Sequence, residues 1–176
     1  FAEADVAAIE AERLAHAAAL PLHVAEALQV RLDVAIRSAA LEGVDDKMKT
    51  FAEACYRLDD PEGHAAAELY RAEIELVRDR PEAALPYVDL ALGHLERWGQ
   101  LRYAKAWILS AKARALLALG DQEGAAHAVD EADDALREAS GATGGTAKAR
   151  LARAEIAIVR GDGPAAIAAL SDLIEG

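Results

Sequence analysis

The chain has 176 residues, 31 acidic against 19 basic side chains and a formal charge of −12. It is long enough to bury a core without staples and too acidic to present the basic stripe that nucleic acid demands. Its 53% hydrophobic content excludes a disordered tail, and its single cysteine, Cys55, excludes an internal disulfide or a cysteine-rich zinc site. No apolar run approaches the ~20 residues of a membrane span.

Alanine makes up about a quarter of the chain, leucine is the next most common apolar residue, and only 5% is aromatic. Strong helix formers dominate and strand-like alternation is rare, so the expected fold is all-α. Alanine buries little area but lets helix axes approach closely, which predicts many thin contacts between neighbours.

Taken in chain order, residues 1–20 read as a second helix without its first, with Ala4, Ala8 and Ala11 turned inward and Val6, Ile9 and Leu14 left uncovered. Residues 22–60 read as a helix pair. Ile36 lies on its first helix, which stops at Ala40-Leu-Glu-Gly43, and Met48, Ala52 and Cys55 form the inward face of its second. Further pairs are expected over 62–97, 99–140 and 146–176, giving about nine helices. The chain opens on Phe1 and closes on Gly176, so it reads as a piece of a longer protein.

Three of these units repeat. Arg71-Ala-Glu-Ile-Glu-Leu-Val-Arg78 nearly superimposes on Arg153-Ala-Glu-Ile-Ala-Ile-Val-Arg160, with Ala72 and Ala154 82 residues apart, twice 41. Halfway lies Ala113, in a segment running into Gly120. The turns share a layout too: Asp79-Arg-Pro-Glu-Ala-Ala84, Gly120-Asp-Gln-Glu-Gly-Ala125 and Gly161-Asp-Gly-Pro-Ala-Ala166. Glycine supplies a left-handed helix stop, aspartate caps the next N-terminus and proline suits a first turn. Ala91, Ala132 and Leu173 follow two turns later on the same face.

This pattern resembles the tetratricopeptide repeat (TPR) family, with Ala72, Ala113 and Ala154 at its first small site, Ala84, Ala125 and Ala166 at its second, and Ala91 and Ala132 at its third. The family's large aromatics and terminal proline are mostly missing, and 41 residues exceeds its usual 34. Longer units of this kind look like those in the arrays of large bacterial transcriptional regulators and signalling proteins. The resemblance covers essentially the whole chain. It implies a right-handed superhelical solenoid of antiparallel helix pairs, first helices lining a concave groove and second helices forming the convex back.

In that register the groove side chains are Asp33, Arg37, Leu69, Glu73, Trp107, Ser110, Arg114, Leu117, Leu151 and Glu155. Arg37, Glu73, Arg114 and Glu155 are expected at equivalent places, alternating in sign. They serve either as ion pairs between adjacent first helices or as a polar track for a peptide. Trp98 and Tyr103 are expected to staple the start of their helix, and Trp107 to serve either packing or a ligand.

No catalytic constellation is expected. His16, His23, His64, His94 and His127 are scattered, Cys55 reads as a buried inert thiol, and the acidic run Asp130, Glu131, Asp133 and Asp134 lacks the alternation and glycine of a calcium loop. The run Gly141-Ala-Thr-Gly-Gly-Thr-Ala-Lys148 lacks the contiguous Gly-Lys-Ser/Thr of a phosphate loop, and Asp45-Asp46 and Asp59-Asp60 fit helix ends. No metal and no cofactor are expected. What the resemblance implies is a cytoplasmic, non-enzymatic scaffold, the sensor or interaction arm of a multidomain bacterial regulator. It would hold a protein or peptide in the groove, or a small-molecule effector, and would touch neither nucleic acid nor membrane. The alternative is an oligomerisation or spacer module that assembles through its terminal helices or convex face.

Overall fold

A computed structural model describes residues 2–58, 61–96, 102–143 and 154–175. These are helical with no strand among the described residues: α1 (Ala2–Ala17), α2 (Pro21–Arg37), α3 (Val44–Arg57), α4 (Pro61–Val77), α5 (Pro81–Glu96), α6 (Arg102–Ala118), α7 (Gln122–Thr143), α8 (described over 154–159) and α9 (Gly163–Glu175).

One helix stop recurs along the chain. Ala19, Ala39, Asp79, Gly120 and Gly161 all take positive φ, between 53 and 82°. Each is followed by an amide donating five residues back, Leu20 to Ala15, Ala40 to Ala35, Arg80 to Glu75, Asp121 to Leu116 and Asp162 to Ala157, at 2.8–2.9 Å. This left-handed cap satisfies carbonyls that the helix end would otherwise orphan. The next helix is then started by proline at Pro21 and Pro81, or by aspartate. The Asp121 carboxylate accepts from the Gly124 amide at 2.9 Å, and Asp162 from Ala165 at 3.0 Å. After α2 the stop is followed by Leu41-Glu42-Gly43, so α3 begins later than the repeat requires, with Gly43 at φ 63°.

The alanines at repeat-equivalent sites lie inside this packing. Ala72, Ala84, Ala91, Ala113 and Ala132 have no exposed surface, and Ala125, Ala154 and Ala166 are buried. Each helix from α1 to α7 packs on the next in sequence, and α2 also touches α4, as α4 touches α6. The core divides accordingly. One cluster joins α1 to α4 through Leu28, Leu32, Phe51 and Tyr70, with the Phe51 and Tyr70 rings edge-to-face at 5.5 Å. A second joins α4 to α6 through Leu69, Val88 and Ile108, and a third joins α6, α7 and α8 through Leu109, Leu136 and Ile156. α4 and α6 each belong to two clusters, so burial passes along the chain through shared helices, as the alanine content anticipated.

Two expectations about the first units change. On α1 the buried alanines are Ala8 and Ala15, whereas Ala4 and Ala11 border an open groove against α2. Val6, Ile9 and Leu14 are exposed. The helix carrying Ile36 stops at Ala39, ahead of the expected Ala40–Gly43 run, and aligned on that stop the α2 counterpart of Ala72 is Leu32, which is fully buried.

Candidate functional site

The same alignment corrects the charged ladder. Glu73, Arg114 and Glu155 stand six residues before Asp79, Gly120 and Gly161, and the residue six before Ala39 is Asp33. Arg37 lies one turn further on and is exposed. The equivalent sites therefore read acid, acid, base, acid, and the expected alternation is absent. The first of these carboxylates is held by Tyr70, whose hydroxyl donates to Asp33 Oδ1 at 2.8 Å. Arg114 Nη2 pairs with Glu73 Oε1, joining α6 to α4. Glu73 is 7% exposed and the Arg114 side chain 34%.

These groups share one electrostatic environment. Burial raises the Glu155 carboxyl above its ordinary value. Arg114 opposes that shift, Glu73 adds to it, and Arg37 and Asp33 act more weakly in opposite directions. Burial works against the Arg114 charge, but Glu73 and Glu155 outweigh it and its pKa rises. Burial, then the Asp33 carboxylate, pushes the Tyr70 phenol well above its usual value. Arg114 is thus paired with Glu73 and attracts the Glu155 carboxylate, while Asp33 is held by the Tyr70 hydroxyl, an arrangement that favours internal pairing.

Beside the ladder lies a cavity of about 250 Å³. α2 contributes Leu22 and Gln29, the end of α3 contributes Cys55, α4 contributes Leu69 and Tyr70, and α6 contributes Trp107 and Ile108. Three alternate helices, α2, α4 and α6, thus converge on one space, and Tyr70 belongs both to its wall and to the ladder. Among the described lining residues the charged ones are Glu26 and Glu62.

The expected groove residues divide between these features. Leu69 and Trp107 line the cavity; Asp33, Glu73, Arg114 and Glu155 form the ladder. Ser110 is sealed, with no exposed surface and its hydroxyl bonded to the Ala106 carbonyl at 2.9 Å, so it offers a partner nothing. Leu117 is exposed away from the cavity wall. Leu151, Trp98, Asp59 and Asp60 lie outside the described residues, as do positions 144–148 of the glycine-rich run, whose start continues α7.

Several residues with no expected role prove to have one. Arg78 forks onto Asp45 of α3 at 2.7 and 2.8 Å and also reaches Glu75. Its repeat equivalent, Arg160, bridges Asp133 of α7 at 2.5 Å and Asp130. Two carboxylates of the acidic run on α7 are therefore tied to the end of α8. Glu68 on α4 is a second buried carboxylate, accepting from Tyr56 and Arg71 at 2.7 Å each. Cys55 is buried, as expected. No group of His, Cys, Asp or Glu suited to a metal ion occurs among the described residues, and no described helix is long and apolar enough to cross a membrane.

No protein-family model, curated protein or solved structure matches this chain.

Proposed function

We propose that the chain is a TPR-like right-handed superhelix of antiparallel helix pairs, and that it binds a protein or peptide on the face built by α2, α4, α6 and α8. It performs no catalysis and works in the cytoplasm as the sensor or interaction arm of a multidomain bacterial regulator. Recurrent stops and unexposed alanines at 41-residue spacing support the architecture. One observation carries the binding reading: the cavity formed jointly by α2, α4 and α6, with Trp107 and Tyr70 in its wall. A concave, mostly apolar space with a few polar groups is where recognition concentrates.

The test is selection of random-sequence peptides on the immobilised chain, followed by titration of the winners against wild type and Trp107→Ala. Affinity should fall about tenfold or more in the variant. Winners indifferent to Trp107, Leu69 and Leu22 substitutions alike would place binding elsewhere and refute the groove.

A second reading, self-assembly through the terminal helices, rests on the open α1/α2 groove. Its volume is about 750 Å³ and its walls are almost wholly apolar, with Leu14, Leu20 and Val30 exposed along it. Sedimentation of the chain across micromolar concentrations decides it, because a concentration-independent monomer excludes this reading.

A further inference from the structure

The cavity and the α1/α2 groove lie on opposite flanks of one helix. Leu22, Ala25 and Gln29 of α2 face the cavity, while His23, Ala27 and Val30 face the groove. Glu26 alone borders both, and it is exposed. α2 is thus a ridge between two apolar recesses with a carboxylate on its crest.

We propose that these recesses are one bipartite site for a linear peptide segment carrying two large apolar side chains with a lysine or arginine between them. This rests on the groove reading above and specifies its ligand. The cavity, at about 250 Å³, is below the usual 300–1,000 Å³ of a small-molecule pocket and suits a single side chain. Crossing a helix covers ~10–12 Å, which an extended chain spans in about three or four residues. The two apolar anchors are therefore three or four positions apart. The intervening side chain passes over Glu26, and among the described residues neither recess is lined by a lysine or arginine that would repel a cation there. An acidic or uncharged spacer gains nothing at this crest.

The probe is a fluorescein-labelled dodecapeptide with two leucines three residues apart, a lysine between them and glycine–serine flanks, titrated against the whole chain by anisotropy. Replacing its lysine with glutamate should weaken binding about fivefold, and Glu26→Lys in the chain should do the same. Combining the two changes should restore affinity. Leu22→Ser, at a half-exposed position that does not hold the core, should weaken binding about fivefold, and probe leucine to glycine about tenfold or more.

If Glu26→Lys leaves the probe within twofold of wild type, or the charge swap fails to restore binding, the bipartite site is refuted. Selected peptides that still depend on Trp107 would then leave the groove reading standing. Concentration-dependent dimers dissolved by Val30→Glu would assign the α1/α2 half to a second copy of the chain and equally overturn the proposal. A strict monomer whose selected binders show the apolar–basic–apolar spacing supports it.

Discussion

Replacing Arg114 with methionine tests whether the ladder holds the helices together or waits for a ligand. Methionine keeps much of the apolar stem and removes the one ladder charge that is paired with Glu73 and faces Glu155. Breaking a fully buried pair costs about 3–5 kcal/mol, and an exposed one about 0–1 kcal/mol. Glu73 is 7% exposed, but Arg114 keeps 34% of its side-chain surface in contact with water, so the loss falls between these limits, at about 2 kcal/mol. For a chain of this length that lowers Tm by about 4–8 °C.

The loss should also depend on pH with a defined sign. The Glu155 carboxyl is held above its ordinary value, so in the window between the two values the folded chain keeps a proton that the unfolded chain has lost. Stability from this group therefore rises as pH falls through that window. Without Arg114 the ionised form of Glu155 loses its main attraction, so the penalty is largest near pH 7 and shrinks toward pH 5. Urea unfolding followed by far-ultraviolet circular dichroism at both pH values measures this. A penalty below about 0.5 kcal/mol would refute internal pairing, and one equal at both pH values would confine that pairing to Glu73 and leave Glu155 outside it.

Other substitutions probe the remaining devices. A Cβ built on Gly120 meets no atom within 4 Å, so Gly120→Ala isolates the cost of an L-residue at φ 82°, about 1 kcal/mol, or 2–4 °C in Tm. Ala39→Gly, at φ 53°, should instead stabilise, by about 0.5 kcal/mol. Tyr70 keeps its proton well above the usual phenol range, so its hydrogen bond contributes fully below about pH 10 and is lost above it, as the unfolded chain ionises first. Tyr70→Phe should lower stability at neutral pH and flatten the alkaline decline seen in pH-dependent melting. Arg160→Met should speed amide hydrogen exchange in α8 and α9 severalfold while leaving α2 to α5 unchanged, and uniform acceleration along the chain would refute a local clamp.

What could be read from the residues alone followed their periodicity. Alanine at 41-residue spacing and the glycine–aspartate turns depend on local geometry repeated in register, and the structure buries or caps them as expected. The equivalence of Arg78 and Arg160 was equally visible in the superimposable segments, but their partners Asp45, Asp130 and Asp133 are 27–33 residues away and belong to no shared motif. The Arg37 assignment failed because Gly43 reads as the helix stop, whereas the chain turns four residues earlier, at Ala39, where alanine carries no signal for a left-handed residue. Ser110 failed for a different reason: its hydroxyl bonds its own helix, so a polar residue can be sealed inside a tight alanine contact. The cavity was only half legible. Leu69 and Trp107 were among the expected residues, whereas Gln29, Cys55 and Tyr70 converge on them from three other helical faces through packing that single-helix periodicity does not encode.

The ladder and the cavity make different demands on a ligand, and this difference selects between them. A peptide gripping the ladder has to separate Arg114 from Glu73 and compensate both, and breaking such a pair costs roughly what a good new ion pair returns. A side chain entering the cavity displaces only water from largely apolar walls, and burying one leucine-sized group there contributes about 1.5–3 kcal/mol. On the proposed binding reading the cavity is therefore the anchoring element, with Tyr70 tying its wall to Asp33 of the ladder. On the same reading the chain's −12 charge would act at longer range, speeding the approach of basic segments without fixing where they dock. Raising salt should accordingly slow association of the lysine-bearing probe and weaken its contact with exposed Glu26. The apolar anchor in the cavity should persist, leaving a dissociation rate that salt changes little.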